Sequence, residues 1–83
     1  MRDELTAKLK VIIKPYTENT EALNNLTEDT DFINDLGINS ASLVDIILDI
    51  EEVYSIVIDN NDMERMLNVR VALDIIETKL GEK

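Results

Sequence analysis

Few of the 83 residues can do covalent chemistry, because the sequence contains neither Cys nor His. Thiol nucleophiles, imidazole bases and Cys/His zinc sites are therefore ruled out, and hydroxyls and carboxylates remain. The most informative grouping is Asp35-Leu36-Gly37-Ile38-Asn39-Ser40, where a glycine turn sets Ser40 at a helix start with its hydroxyl exposed beside Asp35. Taken alone, a serine at such a place is ordinarily a helix cap. Ser42 offers a second hydroxyl. Further on, Asp45, Asp49, Glu51 and Glu52 crowd one helix, with Asp45, Asp49 and Glu52 on a single face. Nothing signals a cleft that would raise the pKa of Asp45 or Asp49, so no catalytic residue is assigned and the chain reads as a non-enzyme. Asp29, Asp31 and Asp35 imitate a calcium loop. Counting from Asp29, however, the fifth, sixth and twelfth places hold Ile33, Asn34 and Ser40, where such a loop needs an oxygen ligand, Gly and Glu. No metal site is assigned.

Eighteen acids face eight bases, for a net charge of −10. Such a surface repels phosphates, which excludes nucleic acid and disfavours anionic membranes. The charge is also unevenly placed. The fifty residues between Lys14 and Arg65 contain no Lys or Arg but hold thirteen acids. A field of one sign over the middle of the chain steers cationic partners toward it. The same stretch carries the densest aliphatic pattern, which argues that it folds. No apolar run approaches the roughly 18 residues of a membrane span. The opening MRDELTAKLK lacks an apolar leader, so a cytoplasmic location is expected.

One domain over residues 1–83 is the natural reading of this length. Phe32, Tyr16 and Tyr54 are the only aromatics, so Ile, Leu and Val must fill the core. Leu5, Leu9, Ile12 and Ile13 recur at helical spacing, and Pro15 predicts an end or kink at Lys14. A long polar segment from Thr17 to about Asn39 follows. Its Leu23, Leu26, Phe32, Ile33, Leu36 and Ile38 pin it to the core, with a helical turn around Glu21 to Asn25. The next helix runs from Asn39 or Ser40 to about Tyr54, with Asn39 as a cap. Val44, Ile47, Ile50 and Tyr54 form its apolar stripe, and Leu43, Ile46 and Val53 lie beside it. Ile56-Val57-Ile58 reads as a buried connector. Asn60 or Asn61 caps a short helix through Met66. Asn68 caps the last helix, which buries Val69, Ala72, Leu73, Ile76 and Leu80 and ends at Gly81. The expected fold is all-α: a small four-helix bundle of three main helices and one short one, with a long first loop.

The run DLGINSASLVDIILDIEE resembles the prosthetic-group site of acyl carrier proteins. That family opens its second helix with Asp-Leu-Gly-x-Asp-Ser-Leu and continues with an acidic, aliphatic helix ending in Glu-Glu. Asp35, Leu36, Gly37 and Ser40 match directly; Asp45, Glu51 and Glu52 fall on its acids, and Val44, Ile46, Ile47 and Ile50 on its aliphatics. The resemblance spans roughly Leu26 to Leu80, with Thr30-Asp31-Phe32-Ile33 as the apolar anchor ahead of the motif. It implies a 4′-phosphopantetheine arm, derived from coenzyme A, esterified to Ser40 within the setting of Asp35, Gly37 and Asn39. Ser42 does not fit, because its spacing to Gly37 and to Glu51-Glu52 is wrong. The resemblance further implies that Asp45, Asp49, Glu51 and Glu52 form a docking face. Its partners are a phosphopantetheinyl transferase and acyl-transferring or chain-elongating enzymes with basic patches, and the carrier is expected to be a monomer. Phe32, Ile46, Ile47, Ile50 and Ile58 are the implied acyl pocket, although the same residues serve equally as plain core. The cargo would be fatty-acid, polyketide or related intermediates. Asn39 stands where the family has Asp, Ala41 where it has Leu, and Ser42 replaces a frequent acid; these departures point to a specialised carrier. Two other readings stand beside it: an unmodified acidic helical adaptor for a basic protein, and an aminoacyl or peptidyl carrier.

Overall fold

The computed structural model describes residues 2–82, and the side chains of residues 3–82. Arg2 and Lys83, two of the eight bases counted in the sequence, have side chains outside that range. Helix α1 covers Arg2–Ile13, α2 Thr20–Asn24, α3 Ser40–Tyr54, α4 Asn60–Arg65 and α5 Val69–Gly81. Asp3 and Glu4 in the first turn of α1 and Lys10 in its last complement the helix dipole. Leu9 and Ile13 enter the core completely, with Leu5 and Ile12 half-buried beside them. Pro15 stops the helix as expected, and the amides of Tyr16 and Thr17 both donate to the Ile13 carbonyl. α1 packs against α3 and α5.

The polar segment between α1 and α3 is pinned at many points. Phe32, Leu36 and Ile38 are fully buried. The amide of Phe32 donates to Leu67 (3.1 Å), that of Val69 to Thr30 (3.0 Å) and that of Arg70 to Glu28 (2.9 Å), so this strip lies against the start of α5. Asp31 and Asn68 form an isolated antiparallel bridge there, and the Arg70 guanidinium meets Asp29 at 2.9 Å and Glu28 at 3.8 Å. On the other side, Thr17 Oγ1 donates to the Leu36 carbonyl at 2.6 Å and Asn19 Nδ2 to that of Asp35 at 3.0 Å.

The all-α class holds, with several corrections of detail. The helical turn near Glu21 is a short helix in its own right, making five helices among the described residues in place of four. On α3 the buried side chains are Leu43, Ile46, Ile47, Ile50 and Tyr54; Val44 and Val53 are exposed. The apolar arc of this helix is wider than the surface that its neighbours cover, so the two valines at its margins face water. The connector buries Ile56 and Ile58 but turns Val57 outward, because successive side chains of a non-helical segment point to opposite sides. Asp59, not Asn60 or Asn61, caps α4: its Oδ1 accepts the Asp62 amide at 2.8 Å. Met66 lies just beyond α4 and is fully buried. Asn68 caps α5 as expected, but Gly81 is the last helical residue and not a left-handed terminator.

Candidate functional site

The segment before Ser40 is shaped by short-range hydrogen bonds. Asp31 Oδ1 accepts the amides of Ile33 and Asn34, both at 2.8 Å, and Asp35 Oδ2 accepts that of Asp31 at 2.7 Å. The Asp35 carboxylate thus braces the loop, and among the described residues no hydrogen bond joins it to Ser40. Leu36 and Ile38 both plunge into the core, and the chain between them must reverse. Gly37 does this at φ +68°, in the left-handed region that a side chain would strain.

Asn39 then supplies the cap of α3. Its Oδ1 accepts the Ser42 amide at 2.8 Å and its carbonyl accepts that of Leu43 at 3.0 Å. The replacement of the family's Asp by Asn therefore preserves the cap, since either side chain offers the accepting oxygen. Ser40 is the first helical residue and is exposed. Because Asn39 does the capping, the Ser40 hydroxyl is not needed for it, and among the described residues its Oγ makes no hydrogen bond. No acid occupies the first turn of α3, so the positive end of the helix dipole stands uncompensated beside that hydroxyl.

Farther along α3 the four carboxylates divide. Asp45 and Glu52 are exposed, while Asp49 and Glu51 are half-buried and braced. Asp49 Oδ2 accepts the Tyr16 hydroxyl at 2.9 Å, and Glu51 Oε2 accepts the Ile58 amide at 2.9 Å. The bond to Asp49 raises the Tyr16 pKa above its ordinary value, helped by desolvation and by the charges of Asp49 and Asp45. Leu48 is also on this face and is 54% exposed; it lies three residues after Asp45 and four before Glu52, with half-exposed Val44 one turn away. Leu48 has the residue type of a core side chain, and only its helical position outside the buried arc marks it for this face. Phe32, Ile46, Ile47, Ile50 and Ile58 are all gathered into one buried cluster.

The family model described as the phosphopantetheine attachment site matches residues 7–76, a range that includes the loop, Ser40 and the acidic helix α3. The chain belongs to this family. Solved structures agree. An acyl carrier protein from Thermotoga maritima is similar with a TM-score of 0.82 and 25% identity, over 98% of this chain and 92% of that one. Hexanoyl acyl carrier protein from the actinorhodin polyketide synthase of Streptomyces coelicolor follows at a TM-score of 0.77 and 25% identity, over 89% and 87%. No curated protein matches the sequence. The chain is thus a carrier protein, and its cofactor is covalent 4′-phosphopantetheine. The residues fit that group: an exposed hydroxyl is available and an uncompensated helix start favours a phosphodiester. When bound, the arm supplies a mobile thiol that holds cargo as a thioester.

Proposed function

We propose that Ser40 is the attachment residue and that the protein presents acyl intermediates to separate enzymes without catalysis of its own. The observation that carries this is the division of labour at the start of α3, where Asn39 caps and leaves the exposed Ser40 hydroxyl for chemistry. Ser40 Oγ gains the phosphoester bond and loses its proton, while adenosine bisphosphate leaves from coenzyme A. Gly37, between two buried anchors, fixes where that hydroxyl stands, and Asp35 stiffens the loop.

Asp45 and Glu52, with Asp49 and Glu51 braced behind them, would meet basic patches on the transferase and on acyl-transferring and chain-elongating enzymes. The field gives fast, salt-sensitive encounter. Leu48 and Val44 would add an apolar centre to that face. Within the core, Phe32, Ile46, Ile47, Ile50 and Ile58 offer an apolar lining into which an acyl chain can insert. The Streptomyces coelicolor protein comes from a polyketide synthase and accepts a hexanoyl group, although that group is not one of its natural intermediates. That supports fatty-acid, polyketide or related acyl cargo here ahead of aminoacyl groups.

The test is to incubate the protein with coenzyme A and phosphopantetheinyl transferases and to weigh the intact chain. The wild type and Ser42→Ala should gain one phosphopantetheine and Ser40→Ala none. No gain on the wild type with several transferases, or an unchanged gain on Ser40→Ala, would refute the assignment.

A further inference from the structure

One peptide of the loop ahead of Ser40 is left undecided by the residues around it. Leu36 and Ile38 are fixed by burial, and the Ile38 amide donates to the Phe32 carbonyl at 3.0 Å. Between them Gly37 stands at φ +68°. A glycine populates negative φ about as readily, so its own preferences do not fix how the Leu36–Gly37 peptide is turned. Two side chains from the turn after α1 fix it from outside. Thr17 Oγ1 donates to the Leu36 carbonyl, the oxygen of that same peptide, at 2.6 Å, and the contact is buried. The same hydroxyl accepts the Asn19 amide at 3.1 Å, which leaves its one proton committed to Leu36. Asn19 uses both atoms of its side-chain amide. Its Oδ1 accepts the Ala22 amide and caps α2, while Nδ2 donates to the Asp35 carbonyl at 3.0 Å. Two successive carbonyls ahead of Gly37 are thereby tied to one turn sixteen and nineteen residues away in sequence.

We propose that Thr17, with Asn19 beside it, is a positioning residue for the modification of Ser40: its hydroxyl selects the left-handed turn at Gly37 and so sets where the Ser40 hydroxyl stands. Resting on Ser40 as the attachment residue, this places a determinant of the reaction outside the motif that surrounds that serine. Thr17 acts through the backbone, and among the described residues it makes no hydrogen bond to Ser40. Without its bond, the hydroxyl of Ser40 wanders and spends fewer encounters in line with the pyrophosphate of coenzyme A, which slows transfer. Docking on the acidic face of α3 is unaffected, because Asp45 and Glu52 lie beyond the turn on a helix that Asn39 still caps.

NMR on the unmodified chain and transfer kinetics test it together. Thr17→Val removes the hydroxyl and keeps the branched shape, and Thr17→Ser keeps the hydroxyl. Asn19→Asp, at an exposed position, keeps the cap of α2 but loses the donor to Asp35. In Thr17→Val the Gly37 amide should loosen, its order parameter falling from about 0.85 to below about 0.6 or its signal broadening by exchange. Phe32 and Val69, bonded to each other's strip on the α5 side, should stay rigid. With coenzyme A and a transferase that modifies the wild type, kcat should fall about fivefold, the scale of one lost hydrogen bond, with KM unchanged. Asn19→Asp should act in the same direction, and Thr17→Ser should behave as the wild type in both measurements. A Gly37 that stays rigid with positive φ in Thr17→Val, loosening spread to Phe32 and Val69, a change in KM alone, or failure of Thr17→Ser to rescue would overturn the proposal. The NMR measurement needs no modified protein, so its failure counts against Thr17 alone, whereas a wild type that no transferase modifies counts against Ser40.

Discussion

The loop ahead of Ser40 and the helix α4 are both acidic, yet they are held in opposite ways. The loop sinks Phe32, Leu36 and Ile38 entirely and is cross-bonded to the start of α5 and to the turn after α1. Helix α4 sinks no residue of its own fully: Met63 is half-buried against the core, and Asp62 pairs with Lys79 of α5 at 3.4 Å. Under the proposed attachment at Ser40, an over-determined loop holds that hydroxyl at a fixed place for enzymes to find it, whereas α4, with fewer buried side chains, lies lower in the range of local stabilities.

The sharpest way to break the comparison is to remove one side chain from each region. Phe32→Ala empties a fully buried aromatic site and should cost about 3–5 kcal/mol in urea unfolding. Met63→Ala on α4 should cost about 1 kcal/mol, because its side chain is only half-buried. Equal costs would mean that α4 is as firmly built as the loop. Gly37→Ala comes next. No atom lies within 4 Å of the added Cβ, so only the left-handed backbone at φ +68° resists it, at about 1–2 kcal/mol. A neutral result would show that the turn relaxes and that Ser40 is less fixed than described. At the cap, Asn39→Ala should lose about 1 kcal/mol. Asn39→Asp should retain the cap and gain about 0.5 kcal/mol from the helix dipole. If both lose stability, the uncompensated helix start is not the feature that distinguishes this site.

What the sequence made legible was largely short-range. Asp35, Gly37 and Asn39 each act on neighbours a few residues away, so local spacing placed the turn and the helix start, while the choice of Ser40 rested on the family resemblance. Helical periodicity likewise placed α1, α3 and α5. It failed where burial depends on what covers a face: Val44, Val53 and Val57 look like core by type and are exposed because no element lies over them. The choice of Asp59 over Asn60 or Asn61 as cap was also hidden, since all three side chains can accept an amide and only the backbone geometry of Asp59, extended at φ −79° and ψ 173°, selects among them. The role of Glu51 in holding the Ile58 amide depends on how the connector folds back after the left-handed Ser55. Pairs distant in sequence, such as Asp62 with Lys79 and Tyr16 with Asp49, carry no local signal at all.

The Tyr16–Asp49 bond joins the turn after α1 to the acidic helix α3, and it yields the smallest effect. Tyr16→Phe should lower the melting temperature at neutral pH by only about 3 °C, as expected for one partly solvated hydrogen bond. The pH dependence is more diagnostic. In the folded protein the Tyr16 pKa is raised above 10.0, chiefly because its proton is held by the Asp49 carboxylate. A raised folded pKa stabilises fully below the unfolded value and loses that stabilisation as pH climbs through the folded one. The melting-temperature gap between wild type and Tyr16→Phe should therefore stay constant up to about pH 10 and narrow above it. Tyr54 is present in both proteins, and its own upward shift, caused by burial, cancels in the difference. A gap that persists unchanged at high pH would show that Tyr16 acts by packing alone. Asp49 would then be as loosely placed as Asp45 and Glu52, and the rigid half of the comparison would stop at α3.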